Sequence, residues 1–396
     1  MSSPDPSRLA GFLGLQRNLV LLCLAIVAIG TGEELWMRFL PKYLEVLGAG
    51  VLAIGLFDAL KTLLGALYSW PGGAVIDRWG HRTSLLLFTA LSIAGYALVF
   101  AIPFWPAVIL ASFLFLAWSN LSLPAMFTLV GANLPPGKHS MGIGLQSLVK
   151  RVPILIGPVL GGILIDRLGI VPGVRVGAIV SVGAGLLALA LLNRVRDSAV
   201  TRSVMPGLLK TLKAFQPRLR RLLLSDILIR FCERIPFAWV VIYAMDGAGM
   251  SGEQVGILIA IEVIAAMLCY IPAAYFADRY GREPFVIATF LFFTAFPVVL
   301  NFGHTFAMLA VAFAVRGLKE FGEPARKALI IGYSDPNTRG RTVGAYYLIR
   351  DTVVTTGSFL GAALWKLGPS FNFWTAAGLG AAGAAVYILT VREKHS

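Results

Sequence analysis

Apolar stretches of about twenty residues or more recur twelve times along this 396-residue chain, separated by short clusters of Gly, Pro and charge. As a helix, each is long enough to cross a hydrocarbon layer of about 30 Å. The pattern predicts spanning helices over 18–44, 50–70, 84–104, 106–129, 143–166, 171–193, 222–245, 253–276, 284–303, 306–331, 342–365 and 371–391 (segments 1 to 12). The stretches are too long and too uniformly apolar for the alternating strands of an outer-membrane barrel. One long polar stretch, 194–221, separates six segments from six. Within it Leu208, Leu209, Leu212 and Phe215 recur at helical spacing between basic residues, which fits a helix on the membrane surface and a tether equally well.

Composition turns these helices into membrane spans. Hydrophobic residues make up 57% of the chain and charged residues 14%, with a mean hydropathy of +0.79. A water-facing domain carries roughly 25% charge. The formal net charge is +14. In a lipid-bound chain this implies loops against an anionic leaflet, with lipid and not nucleic acid as the partner. With the N-terminus inside, Arg78, Arg82, Arg279, Arg282, Arg339 and the linker arginines share one side with both termini. Only Lys42, Arg167, Arg175 and Lys366 lie on the other, so both ends are expected in the cytoplasm of a bacterial inner membrane. The N-terminus lacks a cleavage site after a short apolar core, so the first segment reads as a retained helix. Cys23, Cys232 and Cys269 lie in apolar segments with no metal or disulfide spacing, and no metal or cofactor is expected.

The chain also repeats itself. Ile76-Asp77-Arg78-Trp79-Gly80-His81-Arg82 returns 201 residues later as Ala277-Asp278-Arg279-Tyr280-Gly281-Arg282-Glu283. Gly48 and Gly55 match Gly249 and Gly256 at the same interval, while Pro124, Gly144 and Gly161 match Pro324, Gly344 and Gly361 one residue closer. Shared glycines and prolines are what a shared backbone geometry demands. The division that follows is an N-terminal bundle at 1–193, a linker at 194–221 and a C-terminal bundle at 222–396.

The first of these loops resembles the signature of the major facilitator superfamily, Gly-x-x-x-Asp-Arg-x-Gly-x-Arg, as Gly73, Asp77, Arg78, Gly80 and Arg82. The second copy keeps Asp278, Arg279 and Gly281, has Ala274 for the first glycine, and places Arg282 one position early with Glu283 after it. The resemblance covers all twelve segments. It implies an all-α membrane fold of two six-helix bundles related by a pseudo-two-fold axis, with a central cavity opening alternately to each side. It also implies that these loop residues act as gates. Gly157, Pro158, Gly161 and Gly162 are similar to a packing element frequent in the family's proton-driven exporters. The arginine-centred motif expected in segment 4 is absent, where Trp118-Ser119-Asn120-Leu121-Ser122 stands.

Charges within the spans are the remaining chemistry, and each costs roughly 2.5–3.5 kcal/mol at a helix centre. Segment 1 carries Glu33, Glu34 and Arg38; segment 2 carries Asp58 and Lys61; segment 7 carries Asp226, Arg230, Glu233 and Arg234. Glu262 in segment 8 stands at the repeat position of Lys61. In segment 10, Arg316, Lys319, Glu320, Glu323, Arg326 and Lys327 fall within about 120° of arc, one stripe that must avoid lipid. Two uses compete: proton and substrate binding, or ion pairs holding the halves together. Glu34 with Arg38 and Arg316 with Glu320 are the leading site residues, followed by Glu33, Arg234, Lys61, Glu262 and Glu323.

The expectation is a secondary transporter for a small polar, charged or zwitterionic solute, coupled to protons or alternatively sodium, and able to work as a monomer. A proton-driven multidrug or metabolite exporter is the nearest alternative. A transporter-like receptor or assembly factor is a reading from another class. No phosphate-binding loop for ATP drive and no catalytic constellation of an enzyme is present in the sequence.

Overall fold

The computed structural model describes residues 17–132, 139–195, 215–334 and 339–395, without the side chains of 17–19, 66, 69–77, 81, 121–148, 271, 274, 278, 339–341 and 390–395. Among the described residues it is helical throughout, with no strand. Each of the twelve segments is found. Nine are single helices: Val51–Trp79, His81–Ala101, Trp105–Ala132, His139–Leu168, Ile170–Leu192, Gly252–Tyr280, Glu283–Asn301, Arg339–Leu367 and Pro369–His395.

The other three are broken, and they are segments rich in charge. Segment 1 runs Arg17–Glu34, tightens into a 3-10 turn at Met37–Phe39 and resumes at Leu40–Val46. Segment 7 runs Pro217–Phe237, then Trp239–Ile242 and a π turn at Tyr243–Gly247. Segment 10 stops at Leu318 and restarts at Glu323. Pro324 at the start of the second piece is free of the missing-donor penalty that a mid-helix proline carries.

Segment 7 starts at Pro217, inside the stretch read as linker. Phe215 is buried in a core with Leu219, Leu222, Phe290 and Tyr387, so it is not part of a surface helix. The rest of that stretch, 196–214, lies outside the described residues.

Two compact units emerge. One comprises 1–43 with 67–204, the other 44–66 with 205–396, so the first part of segment 2 packs with the later unit. Within the first, segment 1 packs on segments 5 and 6, and segment 3 on 4 and 6. Within the second, segment 7 packs on 11 and 12, and segment 9 on 10 and 12. The pairings are the same, moved on by six segments. Large apolar side chains such as Leu110, Leu187 and Leu268 face outward, while Ser92, Ser112, Ser181 and Thr289 are buried. That inversion suits a lipid solvent, where small residues let helices approach.

The repeat is visible in the backbone. The positive-φ glycines among the described residues fall into three pairs at turns: Gly48 and Gly249, Gly80 and Gly281, Gly169 and Gly368. Gly80 (φ 82°, ψ 167°) and Gly281 (φ 94°, ψ 154°) occupy a region almost closed to other residues. What the sequence presents as a signature loop is a single glycine, Gly80, joining two helices, and its second copy is Gly281 with Arg282.

Candidate functional site

In the first unit the chemistry centres on Glu33, which is buried in the last turn before the break in segment 1. Tyr96 donates its hydroxyl to Glu33 Oε1 at 2.6 Å, and Ser119 donates to Oε2 at 2.9 Å. Trp36 walls this site: its ring stands edge-on to Tyr96 and Phe115, and its Nε1 donates to Ser181 at 2.9 Å. Glu34 and Arg38, read as one turn apart, do form an ion pair at 3.0 Å, partly exposed.

Close helix contact sets this geometry. A Cβ added at Gly157 would lie 2.5 Å from the Glu34 Cβ, and one at Gly161 would strike the Leu35 carbonyl. The small residues of segment 5 thus seat the backbone that carries Glu33 and Glu34. The second unit repeats the arrangement 200 residues on. A Cβ at Gly361 would strike the Ile235 carbonyl, and one at Gly357 would meet Arg234 and Phe231.

The second unit holds a network of opposite charges. Asp226, fully buried, accepts from Arg326 Nη1 and from the Tyr346 hydroxyl at 3.0 Å. Arg326 also reaches Glu323 at 2.7 Å, and Arg230 joins Glu323 at 2.6 Å to Glu233 at 2.7 Å. Lys319 contacts Glu233 at 2.8 Å and Glu262 at 3.6 Å, and Arg316 contacts Glu262 at 3.3 Å. Arg234 pairs with Asp58 at 3.1 Å, whose other oxygen accepts from Ser358 at 2.6 Å. Lys61 Nζ lies 5.7 Å from the centre of the Phe237 ring. Glu320 sits in the turn that breaks segment 10, half buried. Paired charges with well-formed hydrogen bonds are how a low-dielectric interior tolerates so many ions.

Of the proposed gate residues, Asp77 and Arg78 belong to the last turn of their helix, as do Asp278 and Arg279. The side chains of Asp77 and Asp278 lie outside the described residues, and Gly73 lies within the same helix as Asp77. Arg78 is exposed, and Arg279 lies over Tyr280 at 5.5 Å. Arg82 donates to Asn193 at the end of segment 6, and Arg282 is half buried.

A family model described as Major Facilitator Superfamily matches residues 22–251 and again 222–396. The chain belongs to the major facilitator superfamily. As a member it is an integral membrane transporter and not an enzyme. Among its relatives, the "Multidrug resistance protein MdtG" of Escherichia fergusonii is 24% identical over 371 residues, covering 91% of this chain and 90% of that protein. The protein of the same name from Citrobacter koseri is 26% identical over 362 residues, covering 88% of each. Solved superfamily-like folds include a POT family transporter in complex with a thioalcohol-conjugated peptide (TM-score 0.77, 14% identity, 95% of each chain). The nucleoside transporter NupG aligns with TM-score 0.77 and 13% identity over 94% of this chain and 100% of that one. At that identity they establish the fold alone.

Sequence reasoning assigns these charges to segments and leaves most of their partners unnamed. It does not single out Tyr96, and it reads Asp226, Arg230 and Arg326 as charges without a shared centre. The contacts that join segment 7 to segment 10, Arg230 with Glu323 and Asp226 with Arg326, span 93 and 100 residues, so local spacing does not expose them.

Proposed function

We propose that the chain is a proton-driven exporter of organic solutes in the bacterial inner membrane. It consists of bundles 1–193 and 222–396 joined by 194–221, with both termini cytoplasmic, and works as a monomer by alternating access. The carrying observation is the hydroxyl clasp on Glu33. A hydroxyl can donate to a carboxylate and, by turning, accept from a carboxylic acid, so Tyr96 and Ser119 accommodate both protonation states in one heavy-atom arrangement. A buried carboxyl with that freedom suits a proton carrier. Relatives named for multidrug resistance support the export direction. So does the Gly157–Gly162 element that seats segment 1. Asp77, Arg78 and Arg82, with Asp278 and Arg279, serve as inner-face gates.

The mixed charges of segments 7 and 10 favour a second reading, in which the solute carries charge of its own and moves inward. Reconstituted protein distinguishes the two. With an acidic lumen, an exporter of this kind accumulates cationic, neutral or anionic dyes in the vesicle in exchange for protons. Glu33→Gln should abolish gradient-driven accumulation while solute-for-solute exchange continues. Retained dependence on the gradient in Glu33→Gln would remove Glu33 as the proton site.

A further inference from the structure

Segment 2 is a single helix, Val51–Trp79, yet it divides between the two units: residues 44–66 pack with the second and the rest with the first. The amino-acid repeat places the whole segment in the first half, as the counterpart of segment 8, with Gly48 and Gly55 matching Gly249 and Gly256. Segment 8 packs along segment 10 of its own unit, whereas segment 2 is not among the closely packed helix pairs. The first half of segment 2 is thus a piece of one repeat attached to the other.

The attachment runs along successive turns of one helix face. A Cβ at Gly55 would lie 2.6 Å from the Ala362 Cβ and 3.2 Å from the Ser358 carbonyl, so segments 2 and 11 approach closely. One turn on, Asp58 Oδ1 accepts from Arg234 Nη1 at 3.1 Å, and Oδ2 accepts from the Ser358 hydroxyl at 2.6 Å. Another turn on, Lys61 lies 5.7 Å from the centre of the Phe237 ring. Asp58 is only 3% exposed, and its two oxygens are spent on two different helices, segments 7 and 11. Permanent contacts between membrane helices need no buried charge, because small residues suffice, as Gly161 against Leu35 shows. A buried carboxylate held by a hydroxyl and a guanidinium is bound firmly while the helices touch, and water can take over those bonds once they part.

We propose that Asp58 is a releasable fastener: with Ser358 and Arg234 it holds residues 51–66 against the second unit in the present state, and this hold opens when the carrier changes state. A helix that belongs to one repeat and is fastened to the other cannot stay so through a cycle in which the repeats rock against one another. Release returns the carboxylate to water, so its bonds are exchanged and not simply lost. The assignment rests on the reading of the chain as an alternating-access carrier and names one residue on which the change of state turns.

The test is thiol labelling of the purified full chain in detergent, with Cys23, Cys232 and Cys269 replaced by serine. Ala59, 2% exposed and one turn from Gly55 on the fastened face, is changed to cysteine, and Ala376, 0% exposed in segment 12, serves as the control. A water-soluble maleimide should modify Ala59→Cys about tenfold faster than Ala376→Cys, because only the first site opens. Adding Asp58→Asn should speed labelling of Ala59→Cys by a further factor of about ten, the ratio that roughly 1.4 kcal/mol supplies, and leave Ala376→Cys unchanged. Equal labelling of the two sites without Asp58→Asn overturns the proposal. So does a rate at Ala59→Cys that Asp58→Asn leaves unchanged, or one that rises equally at Ala376→Cys, which would mark a loosened fold. If Asp58→Asn does not fold, the comparison of the two sites alone decides the matter. Labelling needs neither a solute nor a gradient, so failure of proton drive and failure of the fastener are read separately.

Discussion

Glu33 and Glu233 stand 200 residues apart at corresponding places in segments 1 and 7, and each meets a residue from the segment three further on. For Glu33 that residue is Ser119, and for Glu233 it is Lys319, again 200 residues apart. Tyr96, which also donates to Glu33, corresponds to Phe296, whose ring lies 5.1 Å from Arg316. Arg230 completes the hold on Glu233. One backbone plan thus carries two kinds of carboxyl. Hydroxyls both donate and accept, so the Tyr96 and Ser119 contacts of the first suit either of its protonation states. Ammonium and guanidinium groups only donate, so a proton added to Glu233 would break a bond and leave a cation uncompensated. The duplicated scaffold sets hydroxyl donors on one carboxyl and an ammonium and a guanidinium on the other.

The ion-paired half should fail hardest. Arg326→Met removes from Asp226 and Glu323 the most buried of their cations, at a site only 1% exposed. Removing one member of a buried pair costs roughly 3–5 kcal/mol. The unfolding midpoint of the purified variant should fall by several degrees or more, and a midpoint within one degree of wild type would mean that the network contributes little.

Exchanging the partners tests the contrast directly. Lys319→Ser gives the second half the hydroxyl of the first and leaves Glu233 and Glu262 short of charge, at a cost of about 2–3 kcal/mol. Ser119→Lys does the reverse. It should cost less in stability, because an ammonium beside Glu33 is itself compensated, yet it should abolish accumulation driven by a pH gradient. A Ser119→Lys protein that still couples to protons would break the distinction between the halves.

Much of this plan is legible in the amino-acid sequence, for specific reasons. Spans follow from length and apolarity, and the repeat from glycines such as Gly80 and Gly281 whose backbone angles exclude other residues. The charged stripe of segment 10 follows from helical period. Two things escape. The break at 319–322 is hidden because its cause is tertiary: the Gly322 amide donates to the Thr289 hydroxyl, and a Cβ there would strike the Phe285 carbonyl. Which carboxyl meets hydroxyls and which meets cations is also hidden, since Tyr96 and Ser119 lie 63 and 86 residues from Glu33.

Where the halves are alike, they should respond alike. Gly161→Ala and Gly361→Ala each drive a methyl into a carbonyl of the neighbouring helix, Leu35 and Ile235 respectively. Overpacking of this kind costs about 1–3 kcal/mol. The two variants should lose similar stability in thermal unfolding. A marked inequality would show that the shared glycine no longer does the same job in both halves.

The smallest effect should come at position 96. Tyr96→Phe installs the residue that the second half already carries at 296, keeping the edge-on packing with Trp36 and deleting one hydroxyl. Glu33 keeps Ser119, so about 1 kcal/mol of stability should be lost, in the range of a single hydrogen bond between membrane helices. Proton-driven accumulation should persist, because one hydroxyl that both donates and accepts still serves either form of the carboxyl. Loss of proton-driven accumulation in Tyr96→Phe would show that Ser119 alone does not serve the carboxyl.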